Sequence, residues 1–225
     1  MNILDFLFPR RCLGCGRVGK YFCNRCVSKL RIIEQRETIC PICERPAIYG
    51  ATHPVCKTRY TIDGLTSFFH YDSIIQKAIK ALKYRFVSDL ATEFVSLIPQ
   101  SSFSLFPKAS VLAPIPLHSA RLRHRGFNQA ELLGSLIVQR LKIPIRTDII
   151  KRTRSTTPQV EMKDREDRLK NMSDVFSSLN SKLEAISSTI FLFDDVFTTG
   201  ATMRAAANTL KREGAAFVWG ITMAR

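Results

Sequence analysis

Apolar and polar positions alternate in two distinct periods along this chain, and the change of period marks its elements. SIIQKAIKALKYRF (73–86) sets Ile74, Ile75, Ala78, Ile79, Leu82 and Phe86 at helical spacing, with Lys77, Lys80 and Lys83 on the opposite side. DLATEFVSLI (89–98), FNQAELLGSLIVQRLK (127–142) and ATMRAAANTLKREG (201–214) predict three more helices, the last ending at Gly214. Between them lie short, strand-like runs: LTSFFHY (65–71), VLAPIP (111–116), KIPIRTDIIK (142–151), TIFLF (189–193) and AFVWGITMA (216–224). Strands alternating with helices imply a mostly parallel α/β sheet. TRSTTPQVEMKDREDRLKNMSD (153–174) carries no apolar stripe and reads as an exposed loop or lid.

The first sixty residues follow neither period. Cysteine is confined to residues 12–56, and after TRYTIDG it vanishes, which puts a domain boundary near residue 60: a module at 1–60 and an α/β domain at 61–225. The cysteines read Cys12-x2-Cys15, Cys23-x2-Cys26, Cys40-x2-Cys43 and a lone Cys56, with His53 three residues before it. Eight ligands in four knuckles suit two tetrahedral zinc ions, and complete four-ligand shells make such sites structural. Sequential pairing is expected: Cys12, Cys15, Cys23 and Cys26 on one ion, Cys40, Cys43, His53 and Cys56 on the other. Cross-bracing, first knuckle with third and second with fourth, is the alternative, as is a single occupied site.

Composition adds a constraint on partners. The 225 residues are 45% hydrophobic, and the net charge is +15. Residues 1–60 hold 11 basic and 4 acidic side chains, and residues 111–172 hold 13 and 6. Two loaded zinc sites would lower the total only to about +12, so a polyanionic or phosphorylated partner is expected. Arg10, Arg11, Arg17, Lys20, Arg25, Lys29 and Arg31 interleave with Tyr21 and Phe22, as on a single-strand-binding surface; a solvated rim around a zinc ribbon is the other reading. No apolar run reaches the eighteen or so residues of a membrane span. MNILDFLFPRRC is too short for a signal-peptide core, so local packing and a cytoplasmic location are expected.

The strongest chemistry lies in FLFDDVFTTGAT (191–202). An apolar strand ending at Asp194 and Asp195 would place both carboxylates at the carboxyl edge of the sheet, where open α/β sheets bind ligands. Thr198, Thr199, Gly200, Ala201 and Thr202 then form a turn entering a helix, whose N–H groups can cradle a phosphate. Carboxylates cannot face that phosphate, so they are assigned to a neutral diol beside it, with a divalent cation nearby. A ribose 5-phosphate satisfies both halves.

This stretch resembles the phosphoribosyl diphosphate (PRPP) motif of type I phosphoribosyltransferases, and the whole chain is similar to the ComF family of competence proteins. The likeness rests on DDVFTTGAT, on PIPLHSARLRHRGFNQAELL (114–133), on ALKYR around Lys83 and on QVEMKDREDRLKNMSDVF (159–176). His53, where the family usually has cysteine, and the segment at Phe86 and Val87, which lacks a common glycine, depart from the pattern. The resemblance implies a type I phosphoribosyltransferase fold with a hood or flexible loop, preceded by a zinc ribbon. It implies PRPP with Mg2+ as ligand, and a diphosphate-contacting loop from Leu117 and His118 to Ala120. It further implies hood residues Arg152, Gln159, Arg168 and Asn171, and a role in natural transformation.

Single-stranded DNA and a helicase or translocase at the inner membrane would then be partners. Asp194, Asp195 and Arg125 are the candidate catalytic residues. Arg125 and Asn128 lead the basic and amide candidates of that loop, ahead of His118 and His124. Lys83 either reaches the anion or lies on a solvated helix face. Three functions stay open: a transferase acting at ribose C1, a PRPP-binding or sensing protein that contacts nucleic acid without turnover, and a structural zinc adaptor.

Overall fold

The computed structural model describes residues 9–84, 88–103, 106, 110–154, 175–179 and 189–225. Its main sheet contains β1 (Gly64–Phe69), β2 (Val111–Pro114), β5 (Thr189–Val196) and β6 (Phe217–Ala224). They run parallel in the order β1-β6-β5-β2. A separate antiparallel pair joins β3 (Ile150–Arg152) to β4 (Phe176–Ser178). KIPIRTDIIK is therefore divided. Ile145 bridges the edge of β2, and only the end of the segment enters the β3–β4 pair.

Helices cover both faces, as a parallel sheet requires. Beyond α1 (Asn24–Val27), they are α2 (Ser73–Tyr84), α3 (Ser88–Ser96), α4 (Ser119–Arg125), α5 (Gln129–Leu141) and α6 (Ala201–Arg212). The α4 helix was not expected from the sequence, because seven residues give too short a periodic signal. His118 caps its start, Nδ1 accepting from the Ala120 N–H at 3.3 Å, and Gly126 ends it with φ of 83°. Asn128 caps α5, its carbonyl oxygen accepting from the Ala130 N–H while its amide donates to Ile115 O.

Strand alternation divides the interior into two clusters. Leu112, Phe191 and Phe193 pack on one face with Ile75 and Ile79 of α2, Phe94 of α3 and Leu133 and Ile137 of α5. Val111, Ala113, Ile190 and Leu192 pack on the other with Met203, Ala206, Ala207 and Leu210 of α6 and Phe176 of β4. The cysteine-rich segment contributes to both. Leu13, Phe22 and Val27 join the first cluster, and Ile39 and Ile42 lie against the second. Its two halves thus straddle the sheet.

Buried charge ties the segment's exit to the sheet. Asp63, 6% exposed, pairs with Lys57 at 3.1 Å and Lys211 at 2.6 Å, and accepts the Val218 N–H at 2.8 Å. Three donors satisfy one buried carboxylate, which would otherwise be costly to desolvate.

Candidate functional site

The cysteines converge in sequence order. Cys12, Cys15, Cys23 and Cys26 form one cluster and Cys40, Cys43, His53 and Cys56 another, with ligand atoms within 4.8 Å of one another in each. Short hairpins closed by the Arg11–Val18 and Ile39–Pro46 bridges aim the first pair of each set inward. Zinc–sulfur bonds of about 2.3 Å require tetrahedral edges of roughly 3.7 Å. Cys15 and Cys23 sulfurs are 3.6 Å apart, and Cys43 Sγ is 3.3 Å from His53 Nδ1. The donor sets therefore fit zinc, and the sequential arrangement is the one built.

His53 is oriented as a ligand should be. Its Nε2 lies 3.0 Å from Pro46 O, an oxygen that can only accept, so the proton sits on Nε2 and Nδ1 faces the cluster. The thiols also need a cation. Burial would raise Cys12, but N–H groups of Cys23, Cys15 and Gly14 bring it down to about 6, while burial and neighbouring sulfurs push Cys26 up to about 12. In the second cluster Cys40 is lowered and Cys56 rises to about 11. Four thiolates this close cannot all ionise without positive charge between them.

The aspartate pair differs from the expectation in one respect. β5 continues through both acids to Val196, with Asp194 opposite Thr222 and Val196 opposite Ala224. Adjacent strand residues point to opposite faces, so the carboxylates part. Asp195 turns toward α2 and α5, where Lys83 Nζ lies 2.9 Å away and Gln129 Nε2 donates at 3.4 Å. Gln129 in turn accepts from Arg125. Lys83 is therefore no solvated-face lysine: it reaches across to the carboxylate. Asn128 is occupied as a helix cap, and the neighbouring Gln129, 5% exposed, is the amide that meets Asp195.

Asp194 lies toward α6 and the β3–β4 pair. Burial, then the Asp195 charge, pushes its carboxyl up to about 8, although the Asp195 N–H and Lys83 pull the other way. Arg152 of β3 is within electrostatic reach of both Asp194 and Arg121; burial lowers its guanidinium, and the Arg121 charge lowers it further. Two guanidinium charges within electrostatic reach of each other favour an anion nearby. Gln159, Arg168 and Asn171, the other hood candidates, lie outside the described residues, as do Phe86 and Val87.

The Thr198–Thr202 turn joins β5 to α6. Gly200 is its N-cap in the left-handed region, φ 69°, and a Cβ there would stand 2.4 Å from the Phe197 ring. Asp194, Thr198, Gly200, Ala201 and Thr202 line a cup of about 20 Å³ at the helix start. The Thr199 hydroxyl is buried without a hydrogen-bond partner among the described residues. Amides at a helix N-terminus and a left-handed glycine form a nest for an anion. Leu117, by contrast, contributes no charge or hydroxyl ahead of α4, and His118 has given one ring nitrogen to its cap.

The basic surface also changes on folding. Arg11, Arg17, Lys20, Arg25, Lys29 and Arg31 are exposed, but Phe22 is 3% exposed and stacks on Phe94 at 5.7 Å. It completes the core and is closed to a nucleobase. Tyr49, 53% exposed, is an aromatic of the metal segment that does face outward.

Paired four-ligand knuckles ahead of a parallel sheet with a glycine-bent turn at its carboxyl edge define a zinc-ribbon protein with a phosphoribosyltransferase-like α/β fold. Residues 3–58 match the double zinc ribbon domain family. Competence protein ComFC of Bacillus subtilis is 31% identical over 215 residues, covering 90% of this chain and 83% of that protein. Competence protein F of Haemophilus influenzae is 30% identical over 223 residues, covering 95% and 90%. DNA utilization protein YhgH of Escherichia coli K12 is 27% identical over 215 residues, covering 92% and 90%. The chain belongs to the ComF family. No helix among the described residues is long and apolar enough to cross a membrane.

Proposed function

We propose that the chain binds PRPP at the carboxyl edge of its sheet and acts in the handling of incoming DNA. The observation that carries the reading is the turn after β5, a glycine-bent anion nest flanked by two carboxylates and several cationic groups. In this reading the 5-phosphate sits on the N–H groups of Thr198–Thr202. Asp194 accepts from a ribose hydroxyl, and Asp195, held by Lys83 and Gln129, faces the sugar from the other side of the strand. Arg152 and Arg121 take the diphosphate, with Arg125 behind Gln129. A Mg2+ ion carried in with the diphosphate would neutralise charge, and an Asp194 carboxyl raised to about 8 is one that a nearby cation would return to its ionised form.

Turnover, in this proposal, breaks the bond from ribose C1 to the diphosphate oxygen as an acceptor attacks C1, and the departing charge falls on the arginines. The names of the relatives, competence and DNA utilization, favour a second reading in which PRPP is bound without turnover and exposed lysines and arginines contact single-stranded DNA. Division near residue 60 into a metal module and a sheet domain belongs to the same proposal, as does location in the cytoplasm beside a translocase.

Thermal melting with PRPP and Mg2+ tests the site. PRPP at a hundred times its Kd should stabilise by about 2.7 kcal/mol, and Gly200→Ala should abolish the gain. An unmoved melting temperature in millimolar PRPP would remove the reading. Diphosphate release with a panel of bases and amines separates transferase from binder. Affinity for single-stranded DNA should fall steeply with salt.

A further inference from the structure

We infer that Arg204 makes the second metal knuckle a working part of the anion turn: it is a positioning residue that locks the Thr198–Thr202 backbone to the Cys40–Cys43 hairpin. The inference rests on the sugar-phosphate reading of that turn and adds to it a role for one of the two metal sites.

The geometry is a single guanidinium between two loops. Arg204 Nη2 donates to Thr199 O, while Nη1 donates to Pro41 O at 2.8 Å and more weakly to Ile42 O at 3.4 Å. Thr199 lies inside the anion turn. Pro41 and Ile42 are the two residues between the paired cysteines of the second cluster. In such a knuckle the backbone N–H groups turn toward the metal-bound sulfurs: those of Cys43, His53 and Ile42 serve Cys40. The Pro41 and Ile42 carbonyls are left facing outward, and Arg204 takes them.

Position in the helix argues that this contact is specific. Arg204 is in the opening turns of α6, where the helix dipole disfavours a cation. Its side chain slants back toward the helix start, past Gly200, whose absent Cβ would lie 3.1 Å from Nη1. A planar fork with donors on two nitrogens can join two separate backbones; a lysine ammonium on its flexible stem cannot reproduce that span. Ile39 and Ile42 also press against the cluster that holds Met203, so the ribbon and the first turn of α6 share an apolar seat.

The first cluster has no such link among the described residues. Its backbone is held by Glu93, which accepts from Tyr21 and Phe22 N–H groups, and by Phe22 packing on α3. Metal at the second cluster, through Pro41, Ile42 and Arg204, therefore sets the shape of the turn. Because coupling is reciprocal in binding free energy, an anion on the turn should raise zinc affinity at that cluster by the same factor, and slower extraction is its readout.

Two readouts test this on the full chain loaded with zinc. First, without any ligand, a colorimetric chelator should extract zinc in two phases, and Arg204→Gln should speed one phase about tenfold while leaving the other unchanged. Equal rates in wild type and variant would overturn the inference whatever the turn binds. Second, PRPP with Mg2+ should slow that same phase in the wild type and lose its effect in Arg204→Gln, with Arg204→Lys intermediate or no better. If PRPP binds the variant as tightly as the wild type, the positioning role fails while the sugar-phosphate reading stands. If PRPP binds neither, that reading fails, and the extraction phases alone decide whether the bridge exists. Zinc content of two per chain and unchanged circular dichroism before extraction confirm that the variants are folded.

Discussion

The two ribbons use nearly the same ligands and do different work. The first is sunk into a hydrophobic face. Cys12 and Cys26 are 3% and 5% exposed, Phe22 stacks on Phe94, and Leu13 and Val27 extend the core of α2, α3 and α5. The second has Cys40 at 0% exposure and Cys43, His53 and Cys56 half-buried, while Cys15 of the first is exposed, so what separates the two is the surface each rests on and not the burial of its ligands. The second touches the sheet and its helices through Ile39 and Ile42, polar bonds from Arg204, the Ala51–Gly64 bridge to β1 and the contacts of Glu37 with His70 and Arg225. Nearly identical coordination chemistry can thus serve as a core anchor or as a polar buttress, and the surroundings decide which.

Truncation at the seats gives the largest separation. Phe22→Ala removes a buried ring from the main cluster and should cost about 3–5 kcal/mol. Ile42→Ala, at a half-buried position, should cost only about 1 kcal/mol, because less apolar area leaves water there on folding. Urea denaturation of both variants with zinc present checks this. Equal losses would erase the distinction between the ribbons.

The next test follows the same division onto β5, whose acids face one ribbon's side each. Asp194 is an acid whose carboxyl is raised by burial to about 8, against about 3.9 in an unfolded chain. Between those values the folded state holds the proton that the unfolded state has lost. Stability from this group is therefore complete below about pH 4 and declines as pH rises toward 8. Asp194→Asn should raise stability at pH 8 and leave it nearly unchanged at pH 4. Asp195→Asn should lower stability, since it leaves Lys83 without its 2.9 Å partner, at a cost of at least about 1 kcal/mol. Melting curves across pH 4–9 decide it; parallel curves for the two variants would mean that the carboxylates share one environment.

How far the sequence carried each of these features depends on the range of the contact. Cysteine knuckles and the TTGAT turn are local, so spacing alone announced them. The face reached by each aspartate depends on where β5 ends, and β6 sets that limit by pairing as far as Ala224. Lys83 was left between the anion and a solvated helix face although a signal existed: it continues the four-residue row of Ile75 and Ile79. Gln129 likewise stands on the row of Leu133 and Ile137, a polar residue on an apolar stripe. Arg204 offered nothing local, because Pro41 lies 163 residues away.

The smallest effect concerns the one difference between the ligand sets. His53→Cys would give the second cluster the four thiolates of the first and change a loaded site from −1 to −2. It also removes the Nε2–H bond to Pro46 O, which contributes about 1 kcal/mol. A fourth thiolate binds zinc more strongly and brings more negative charge near Arg204, so the two effects oppose each other. The net change in stability should stay below about 1 kcal/mol, with two zinc ions per chain retained, whereas His53→Ala should lose one. Metal analysis alongside melting separates these outcomes. If His53→Cys also loses a zinc, the imidazole is needed for its reach and not merely as a donor. The second ribbon would then be a site shaped around histidine, and its difference from the first would extend from the surroundings to the ligands themselves.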